Sequence, residues 1–340
     1  MGANYIEFPG LGIKLIVDPV AIPFNVFGFH LEVHWYGIII ALAILIALTL
    51  ALKQTKKFNI KEDDMIDMFL IALPVSIVFA RLFFVVFKWD LFRNDLLGIF
   101  RIWEGGVAIF GAIIGAVLSV WIFSRIRKIN MWALVDFACV YLPLAQAIGR
   151  WGNFFNQELY GTNTTLPWGM TGSIIKSMPD QGINPDIPVH PMFLYECLWD
   201  ILVFIIILKI RKKNKVAGGV FAWYLLLYSF GRFMSEFLRV DDFQAGAVRY
   251  NQVFAAVVVI GAAVFLMISR KRAIAKEEPA PDARSSYSDV LEKLNESDEE
   301  ENVRERIYSN DTPDVLEDNK DDIPSEPAHD NAGGEQKKPE

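Results

Sequence analysis

The chain contains a series of apolar stretches, each long enough to cross the hydrocarbon core of a bilayer. A transmembrane helix needs about 20 mostly apolar residues, and seven windows meet this requirement. They cover approximately residues 34–52, 65–87, 106–123, 132–148, 191–210, 217–238 and 250–268. Because backbone groups in lipid must be hydrogen-bonded internally, these windows predict helices. The pattern therefore predicts an all-α membrane protein with a bundle of about seven transmembrane helices, rather than a membrane β-barrel with short alternating segments.

The distribution of lysine and arginine predicts how these helices are oriented. Sixteen basic residues cluster at one set of helix ends, at 53–61, 125–128, 209–215 and 270–276, and eight are spread over the other side. Basic residues concentrate in cytoplasmic loops. The N-terminus is therefore predicted to lie outside and the C-terminus in the cytosol. The first apolar stretch is predicted to be a helix and not a cleavable signal, because no basic segment precedes it.

The last part of the chain differs in composition from the rest. Residues 277–340 contain 21 acidic and 7 basic residues, a net charge of −14, whereas the whole chain carries −7. Residues 1–276 therefore carry about +7. An acidic segment with few aromatic residues is typical of a disordered chain. The sequence predicts a membrane domain at 1–276 and an acidic, disordered cytosolic tail at 277–340.

Polar and charged residues collect near one end of the predicted helices. Charges at membrane depth are costly and usually functional. At a rise of about 1.5 Å per residue, those of this set lie within roughly 10 Å of the outer boundary. The set comprises Tyr36, Arg81, Arg150, His190, Glu196, Arg232 and Glu236. Because several helices contribute at one depth, the pattern predicts a shared polar cavity open to the outer leaflet. Asp200 lies one turn deeper, and Asp67 and Asp136, near the opposite ends, are interpreted as interfacial carboxylates favoured by helix dipoles.

Two motifs supply side chains suited to such a cavity. Residues 149–161 (GRWGNFFNQELYG) follow the fourth window and combine glycines, amides and Arg150. Glycine permits close approach of neighbouring segments, and arginine can grip a phosphate through two parallel hydrogen bonds. Residues 190–196 (HPMFLYE) place His190 at the start of the fifth helix, because Pro191 suits a first helical turn. Both motifs favour recognition of an anionic polar group.

Two further motifs leave alternatives open. Tyr228, Arg232 and Glu236 recur every four residues and share one face of the sixth helix. Arg232 and Glu236 either neutralise each other or leave Arg232 to act with Arg150 as a phosphate clamp. Residues 103–116 are rich in glycine and alanine, which predicts close helix packing, but packing does not account for Glu104 at the outer entrance.

In this order, the four motifs resemble those of the bacterial prolipoprotein diacylglyceryl transferase family. The resemblance runs from about Val33 to Arg239, includes the His34-Trp35-Tyr36-Gly37 start, and leaves out the tail. It implies a seven-helix enzyme of the bacterial cytoplasmic membrane, with its active site near the outer leaflet and no cofactor or metal. Such an enzyme transfers the diacylglyceryl group of phosphatidylglycerol to the lipobox cysteine thiol of a prolipoprotein signal peptide. Glycerol phosphate leaves, and this transfer is the first step of lipoprotein maturation.

The resemblance also implies roles for individual residues. Arg150 and Asn153 should hold the lipid head group, Gly161 should shape the loop, and Arg232 should be the second essential arginine. The catalytic residues implied are Arg150, Arg232, Tyr36, His190 and Glu158. The substrate-binding residues implied are Arg150, Asn153, Gly161, Glu196, Tyr228, Glu236 and Arg239.

The identity of the base is the point at which this chain departs from its relatives. A thiolate attacks far better than a thiol, so the site must supply a base or lower the thiol pKa. Many family members have a histidine where this chain has Phe110, which cannot accept a proton. Because the other motifs are intact, we expect that histidine not to be the obligatory base. The remaining candidates are His34, His190, Glu158 and Glu196, with His190 first on side-chain pKa.

Other classes of function find less support in the sequence. The chain has no Walker loop, HExxH, GxSxG or metal-ligand spacing and no nucleic-acid-binding patch, and Cys139 and Cys197 are interpreted as packing residues inside helices. A transporter or channel would typically have internal repeats and a site at the midplane, whereas these charges lie to one side. A catalytically inactive membrane scaffold is supported only by Phe110.

Overall fold

The computed structural model describes a mostly helical chain in which every apolar window of the sequence falls on a helical segment. The described residues are 4–26, 29–58, 60–102, 105–180, 182–240, 244–245, 248–275, 291–297 and 299–300. The helices are α1 (Trp35–Gln54), α2 (Glu62–Phe87), α3 (Ile109–Arg127), α4 (Met131–Ala138), α5 (Leu142–Asn156), the short α6 (Ser173–Ser177), α7 (Met192–Lys213), α8 (Gly219–Ser235) and α9 (Tyr250–Ala275). Glu104 and most of the acidic tail lie outside the described residues.

Among the described residues, five helical segments are long and apolar enough to cross a membrane, which confirms a mostly helical membrane protein. They are α1, α2, α3, the combined α4–α5 segment, and α9 as far as Ser269. The fourth window of the sequence corresponds to two helices, because a 3-10 turn at Cys139–Tyr141 separates α4 from α5. Pro143 lies in the first turn of α5, where its missing N–H costs no helical hydrogen bond.

Short antiparallel strands, which the helical prediction did not include, cover part of the bundle. Strand β1 (Tyr5–Phe8) pairs with β2 (Ile13–Ile16) and with β5 (Thr171–Gly172). Strand β3 (Val20–Val26) pairs with β4 (Phe29–His34), which leads directly into α1. A third pair, β6 (Gln244–Ala245) and β7 (Val248–Arg249), precedes α9. The first sheet brings the N-terminal segment onto the loop that follows α5.

The long helices give the bundle two ends with different chemistry. We call the end where α5 and α8 finish and α7 begins the arginine end, and the opposite end, where α7 finishes, the lysine end.

Helices α2 and α3 pack closely: a Cβ on Gly111 would lie 2.4 Å from the carbonyl oxygen of Phe79, and one on Gly115 would lie 2.9 Å from the Cβ of Phe79. This confirms the prediction that the small residues of the 103–116 stretch serve helix packing.

Polar and charged groups at the lysine end, one of them buried, connect helices to one another. The carboxylate of Asp136 is fully buried, and it accepts hydrogen bonds at 2.8 Å from the N–H groups of Gly218 and Phe221 at the start of α8. Asp136 therefore caps α8 and is not a solvated residue at the membrane interface. Asp67 forms an ion pair with Arg127 and so joins α2 to α3.

The structure describes a helical segment within the acidic tail. Residues 291–297 form a helix whose Leu291 is buried in the same apolar cluster as Phe58 and Leu134, at the lysine end. The side-chain amide of Asn295 donates to the carbonyl of Lys212 at 2.7 Å. The expectation of disorder therefore does not hold for these residues, because Leu291 and Leu294 supply an apolar face to a tail that is otherwise strongly polar.

Candidate active site

The side chain of Glu196 lies at the centre of the candidate site and contacts arginines from three parts of the chain. Its Oε2 lies 2.9 Å from Nη1 of Arg150 on α5. Its Oε1 lies 3.2 Å from Nη1 of Arg232 on α8 and 3.3 Å from Nη1 of Arg239 just beyond α8. A guanidinium has five N–H donors, so each arginine retains donors for another ligand. Glu196 therefore reduces the repulsion among three cations and holds them around one space.

Two more carboxylates border this arginine cluster (Arg150, Arg232 and Arg239). Nη2 of Arg232 lies 3.0 Å from Oε2 of Glu236, which is fully buried one helical turn later. Arg232 therefore pairs with Glu236 and also joins Arg150 through Glu196. Asp200 approaches from α7, with its Oδ2 3.9 Å from Nε of Arg150. Nε of Arg150 and Oδ2 of Asp200 are both buried, and neither atom has a hydrogen-bond partner within the described part of the chain.

A cavity of about 210 Å³ opens beside the arginine cluster. Polar groups on its wall include Arg150, Glu196, Asp200, Tyr228 and Arg232, and its remaining wall is largely apolar. Tyr195, Trp199 and Ser235, to which the sequence assigned no role, also line it. A mostly apolar cavity with a few convergent charged groups is typical of a site for an amphiphilic ligand.

Helix α5 positions Arg150 against α1. A Cβ on Gly152 would lie 2.6 Å from a ring carbon of Tyr36, so only glycine allows this ring to approach the helix so closely. Tyr36 is 38% exposed at the start of α1. On the same turn as Arg150, the side-chain amide of Asn153 donates to Oε1 of Glu158 at 2.9 Å, and that of Asn156 donates to it at 3.3 Å. Tyr36, Asn153 and Glu158 therefore form one wall next to Arg150.

Gln157 ends α5 and attaches the following loop to the first sheet. Its φ of 53° is left-handed, and its N–H donates to the carbonyl of Asn153, which stops the helix. Its buried side chain donates to the carbonyl of Tyr5 at 3.1 Å and accepts from the N–H of Ile174 at 3.0 Å. The side-chain amide of Gln157 thus anchors the segment that leads to Gly161.

Gly161 lies where three segments of the chain meet. Its N–H donates to the carbonyl of His190 at 2.9 Å, and it forms an antiparallel bridge with Arg239. A Cβ on Gly161 would lie 2.7 Å from the carbonyl oxygen of Leu238 and 2.8 Å from Cβ of His190. The absence of a side chain at this position therefore brings His190 and Arg239 to the same region of the site.

His190 reaches the cavity through Tyr195. Nδ1 of His190 lies 3.2 Å from the hydroxyl of Tyr195, which lines the cavity and also accepts a hydrogen bond from Nε1 of Trp168 at 2.7 Å. Because Trp168 donates to this hydroxyl, the hydroxyl proton can be directed at Nδ1. Burial lowers the pKa of the His190 imidazole below its usual value, which favours the neutral form that can accept a proton.

Three residues that the sequence analysis considered lie outside this arrangement: Arg81, His34 and Phe110. Arg81 does not join the arginine cluster: its guanidinium donates to the carbonyls of Gly98, Ile99, Arg101, Gly105 and Gly106, in the connection between α2 and α3. The prediction that the helices of the polar set all contribute to one cavity is therefore wrong for Arg81 on α2. Among the described residues, carbonyl dipoles alone satisfy this buried cation. His34 is exposed and lies 3.8 Å from Glu32.

Phe110 also lies away from the cavity. Its ring contacts those of Phe83 and Phe254, with centroid separations of 6.5 and 5.7 Å, and the residue is not part of the cavity wall. A histidine at this position would meet an aromatic cluster formed by α2, α3 and α9. The expectation that the family histidine is not the obligatory base stays a prediction.

Comparison with known proteins identifies the family. A family model described as prolipoprotein diacylglyceryl transferase matches residues 22–268. The chain belongs to this transferase family. A protein of Listeria welshimeri named phosphatidylglycerol–prolipoprotein diacylglyceryl transferase is 43% identical over 251 residues, which cover 74% of this chain and 89% of the relative. A protein of the same name from Clostridioides difficile is 40% identical over 264 residues, which cover 77% of this chain and all of the relative.

The transferase family match confirms the resemblance drawn from the four motifs. The match includes Arg150, Glu196, Arg232 and Arg239 and ends at residue 268, before the acidic tail. The structure adds Tyr195 and Asp200 to the residues that face the candidate site of this transferase. Tyr195 stands one position before Glu196, and Asp200 stands four positions after it on the same face of α7, so helical spacing was the signal for Asp200.

Proposed function

We propose that this chain transfers the diacylglyceryl group of phosphatidylglycerol to the lipobox cysteine thiol of a prolipoprotein signal peptide. The convergence of three arginines on Glu196, two of which line one largely apolar cavity, carries this proposal. Arginine is the side chain best suited to planar recognition of phosphate, and an apolar wall suits acyl chains. The relatives named for this reaction support the substrate pair.

We further propose that α7 and α8 also cross the membrane, which makes seven spans in total. Helix α7 has 22 residues and ends with Arg211, Lys212 and Lys213, and α8 has 17 residues. The excess of basic residues at the lysine end supports a cytosolic location for that end. The arginine end would then face the outer leaflet of the bacterial cytoplasmic membrane, where secreted precursors arrive.

The polar groups around Arg150 suit a glycerol phosphate head group. Arg150 can donate through Nε, and Asp200 can accept through Oδ2; both atoms are buried without a hydrogen-bond partner among the described residues. A phosphate oxygen would satisfy the first atom and a glycerol hydroxyl the second. Neutral head groups without hydroxyls would leave Asp200 unsatisfied, which costs free energy in a buried site.

The transfer exchanges one bond to carbon for another. The thiolate sulfur attacks the glyceryl carbon that carries the phosphoester oxygen, a C–S bond forms, and the C–O bond breaks. The electron pair stays on the phosphate oxygen, so glycerol phosphate leaves. Arg150 and Arg232 would stabilise the charge that develops on this leaving group.

His190 is the base that the geometry favours. The carboxylate oxygens of Glu196 are engaged by three guanidinium groups, and Oε1 of Glu158 accepts from two amides. Nδ1 of His190, in contrast, faces a hydroxyl on the cavity wall. The thiol proton would pass to the neutral imidazole of His190 through the hydroxyl of Tyr195. The Tyr195 hydroxyl and Nδ1 of His190 lie within hydrogen-bond distance of each other, as such a transfer requires.

A transfer assay tests the proposal. The full chain is reconstituted in vesicles that contain radiolabelled phosphatidylglycerol, and a lipobox peptide is added. We expect label to appear on the peptide cysteine, and Arg150→Ala to lower the rate by at least about 100-fold, as for loss of a transition-state donor. Arg93→Ala, which removes an exposed arginine that pairs with Asp90, should transfer at the wild-type rate. Wild-type transfer by Arg150→Ala would refute the assigned role, and the absence of any labelled peptide would refute the function.

A further inference from the structure

A second cavity lies at the lysine end of the bundle, between α7, α8 and α9. It has a volume of about 720 Å³ and is unrelated to the arginine cluster. Its apolar wall is formed by Ile210, Leu226, Leu266 and Met267, and Trp223 stands beside them with 36% of its surface exposed. We call this cavity the lysine groove. Its wall includes part of α9, which is apolar enough to lie in the membrane.

Three lysines border the lysine groove. Lys209, Lys213 and Lys215 are all exposed, and no carboxylate of the described residues forms an ion pair with any of them. The neighbouring Arg211 behaves differently: it is buried against the ring of Phe58, with its guanidinium carbon 4.5 Å from the ring centroid. Interior partners thus satisfy Arg211, while the positive charge of the three lysines faces the groove and its surroundings.

The lysine groove is far from the candidate active site. Glu196 and Lys213 are both on α7, and seventeen residues separate them. At about 1.5 Å per residue this corresponds to about 26 Å along the helix, close to the thickness of a hydrocarbon core. The two sites therefore face opposite leaflets.

We propose that the lysine groove binds an anionic phospholipid of the leaflet opposite the arginine end. The head-group phosphate lies among Lys209, Lys213 and Lys215, and an acyl chain lies along Leu226 and Leu266. Basic pockets between transmembrane helices on the side rich in lysine suit anionic head groups, and tryptophan is enriched at head-group depth.

The chemistry of the groove favours a lipid over the acidic tail of the chain. Residues 301–340 carry negative charge but contain one aromatic residue, Tyr308, and few large apolar side chains. They could pair with the lysines but could not fill the apolar wall. A phospholipid supplies a phosphate and a hydrocarbon chain in the same molecule, and it is present at high local concentration around α9.

Quenching of Trp223 fluorescence by brominated lipids tests this proposal on the full chain. The protein is reconstituted in phosphatidylcholine vesicles that contain acyl-dibrominated phosphatidylglycerol, or acyl-dibrominated phosphatidylcholine in the same proportion. The contribution of Trp223 is obtained as the difference between wild type and Trp223→Phe. We expect brominated phosphatidylglycerol to quench this contribution more strongly than brominated phosphatidylcholine does.

Lysine variants identify the groups responsible. Each Lys→Gln change at 209, 213 or 215 should lower the preference for phosphatidylglycerol by about fivefold. One basic residue near an anionic lipid surface raises the affinity for that lipid by about this factor. Lys→Arg changes should restore it. Lys56, Lys57 and Lys61, which lie between α1 and α2, provide the matched control, and their change to glutamine should have no effect on Trp223.

The outcomes separate this proposal from the proposed function. The triple Lys→Gln variant should transfer diacylglyceryl groups at the wild-type rate, which also shows that it is folded. Equal quenching by both lipids would overturn the proposal, as would an unchanged preference in the triple variant. Carboxyl-to-lysine cross-links from residues 301–340 to Lys209 or Lys213, together with equal quenching, would assign the groove to the tail instead.

Discussion

Arg239, just beyond the end of α8, places its Nη1 3.3 Å from Oε1 of Glu196 on α7. The contact joins a segment outside the long helices to the carboxylate that also holds Arg150 and Arg232. The Glu196 carboxylate is therefore the negative charge that three guanidinium groups share. Several consequences can be measured.

Glu196→Gln should destabilise the protein and make it responsive to added anions. The amide keeps the shape of the side chain but leaves three cations without their shared carboxylate. Removing one partner of a buried ion pair typically costs about 3–5 kcal/mol, so we expect a clearly lower melting temperature and at least about tenfold slower transfer. Inorganic phosphate should raise the melting temperature of the variant more than that of the wild type, because phosphate can replace the lost charge.

The control for this prediction is Glu62→Gln. Glu62 is exposed and lies 3.7 Å from Lys56, so its change should leave stability and transfer unaltered. Wild-type stability in Glu196→Gln, without a response to phosphate, would contradict the idea that Glu196 compensates the arginines.

Gly161→Ala should lower both stability and transfer. The added Cβ would lie 2.7 Å from the carbonyl oxygen of Leu238 and 2.8 Å from Cβ of His190, and such overpacking typically costs about 1–3 kcal/mol. Gly37→Ala is the matched comparison, because Gly37 lies inside α1 and a Cβ there meets nothing within 4 Å. Thermal denaturation should show a loss for the first variant and no loss for the second. Equal stabilities would mean that the junction can widen freely.

The rate of transfer should fall on the acid side at a pH below the usual histidine range. Burial lowers the pKa of His190, and only the neutral imidazole accepts a proton. The base is therefore fully available above pH 6.5 and is lost as the pH falls through the lowered pKa. Steady-state rates from neutral pH to pH 5 should show this limb, and His190→Gln should lack it and be slow throughout.

Tyr195→Phe supplies an independent check on the same path. Tyr195 is expected to donate to Nδ1 of neutral His190 and to carry the thiol proton to it. Its loss should therefore slow transfer, and it should also raise the pKa of His190 and shift the remaining acid limb to higher pH. An acid limb at the same pH in the His190→Gln variant would assign the titration to another group.

Asp136→Asn should lower stability without changing the rate per folded molecule. The Asp136 carboxylate accepts hydrogen bonds at 2.8 Å from the N–H groups of Gly218 and Phe221. An amide supplies only one acceptor, so we expect a loss of about 1–3 kcal/mol. Asp63→Asn, at an exposed position in the first turn of α2, should have little effect on melting. A reduced rate per folded molecule in Asp136→Asn would show that the lysine end influences the chemistry.

The main site residues were predictable because they violate the pattern around them. Arg150, Glu196 and Arg232 are charged residues within or beside apolar helices, and burial in such a place requires partners. Helical spacing placed Arg232 and Glu236 on one face, and the structure pairs them at 3.0 Å. Local rules thus identified charges that the structure brings together, although the same rules also included Arg81, which lies elsewhere.

The contacts between distant segments were not predictable from one sequence. Nothing local distinguishes Arg81, which binds backbone carbonyls, from Arg150, which binds carboxylates. The link from Gly161 to His190 and Leu238 depends on the path of two loops. The 3-10 turn at Cys139–Tyr141 and the burial of Leu291 likewise depend on neighbours that lie far away in the chain.

The attachment of the loop between α2 and α3 to Arg81 relies on backbone dipoles and, among the described residues, not on a charged partner. Arg81 binds that loop through carbonyl oxygens at Gly98, Ile99 and Gly105, at distances of 2.6 to 2.8 Å. Guanidinium groups stay protonated at any physiological pH, and carbonyls do not titrate. The attachment of this loop therefore needs no negatively charged side chain, and changes to the carboxylates of the candidate site should leave the loop in place.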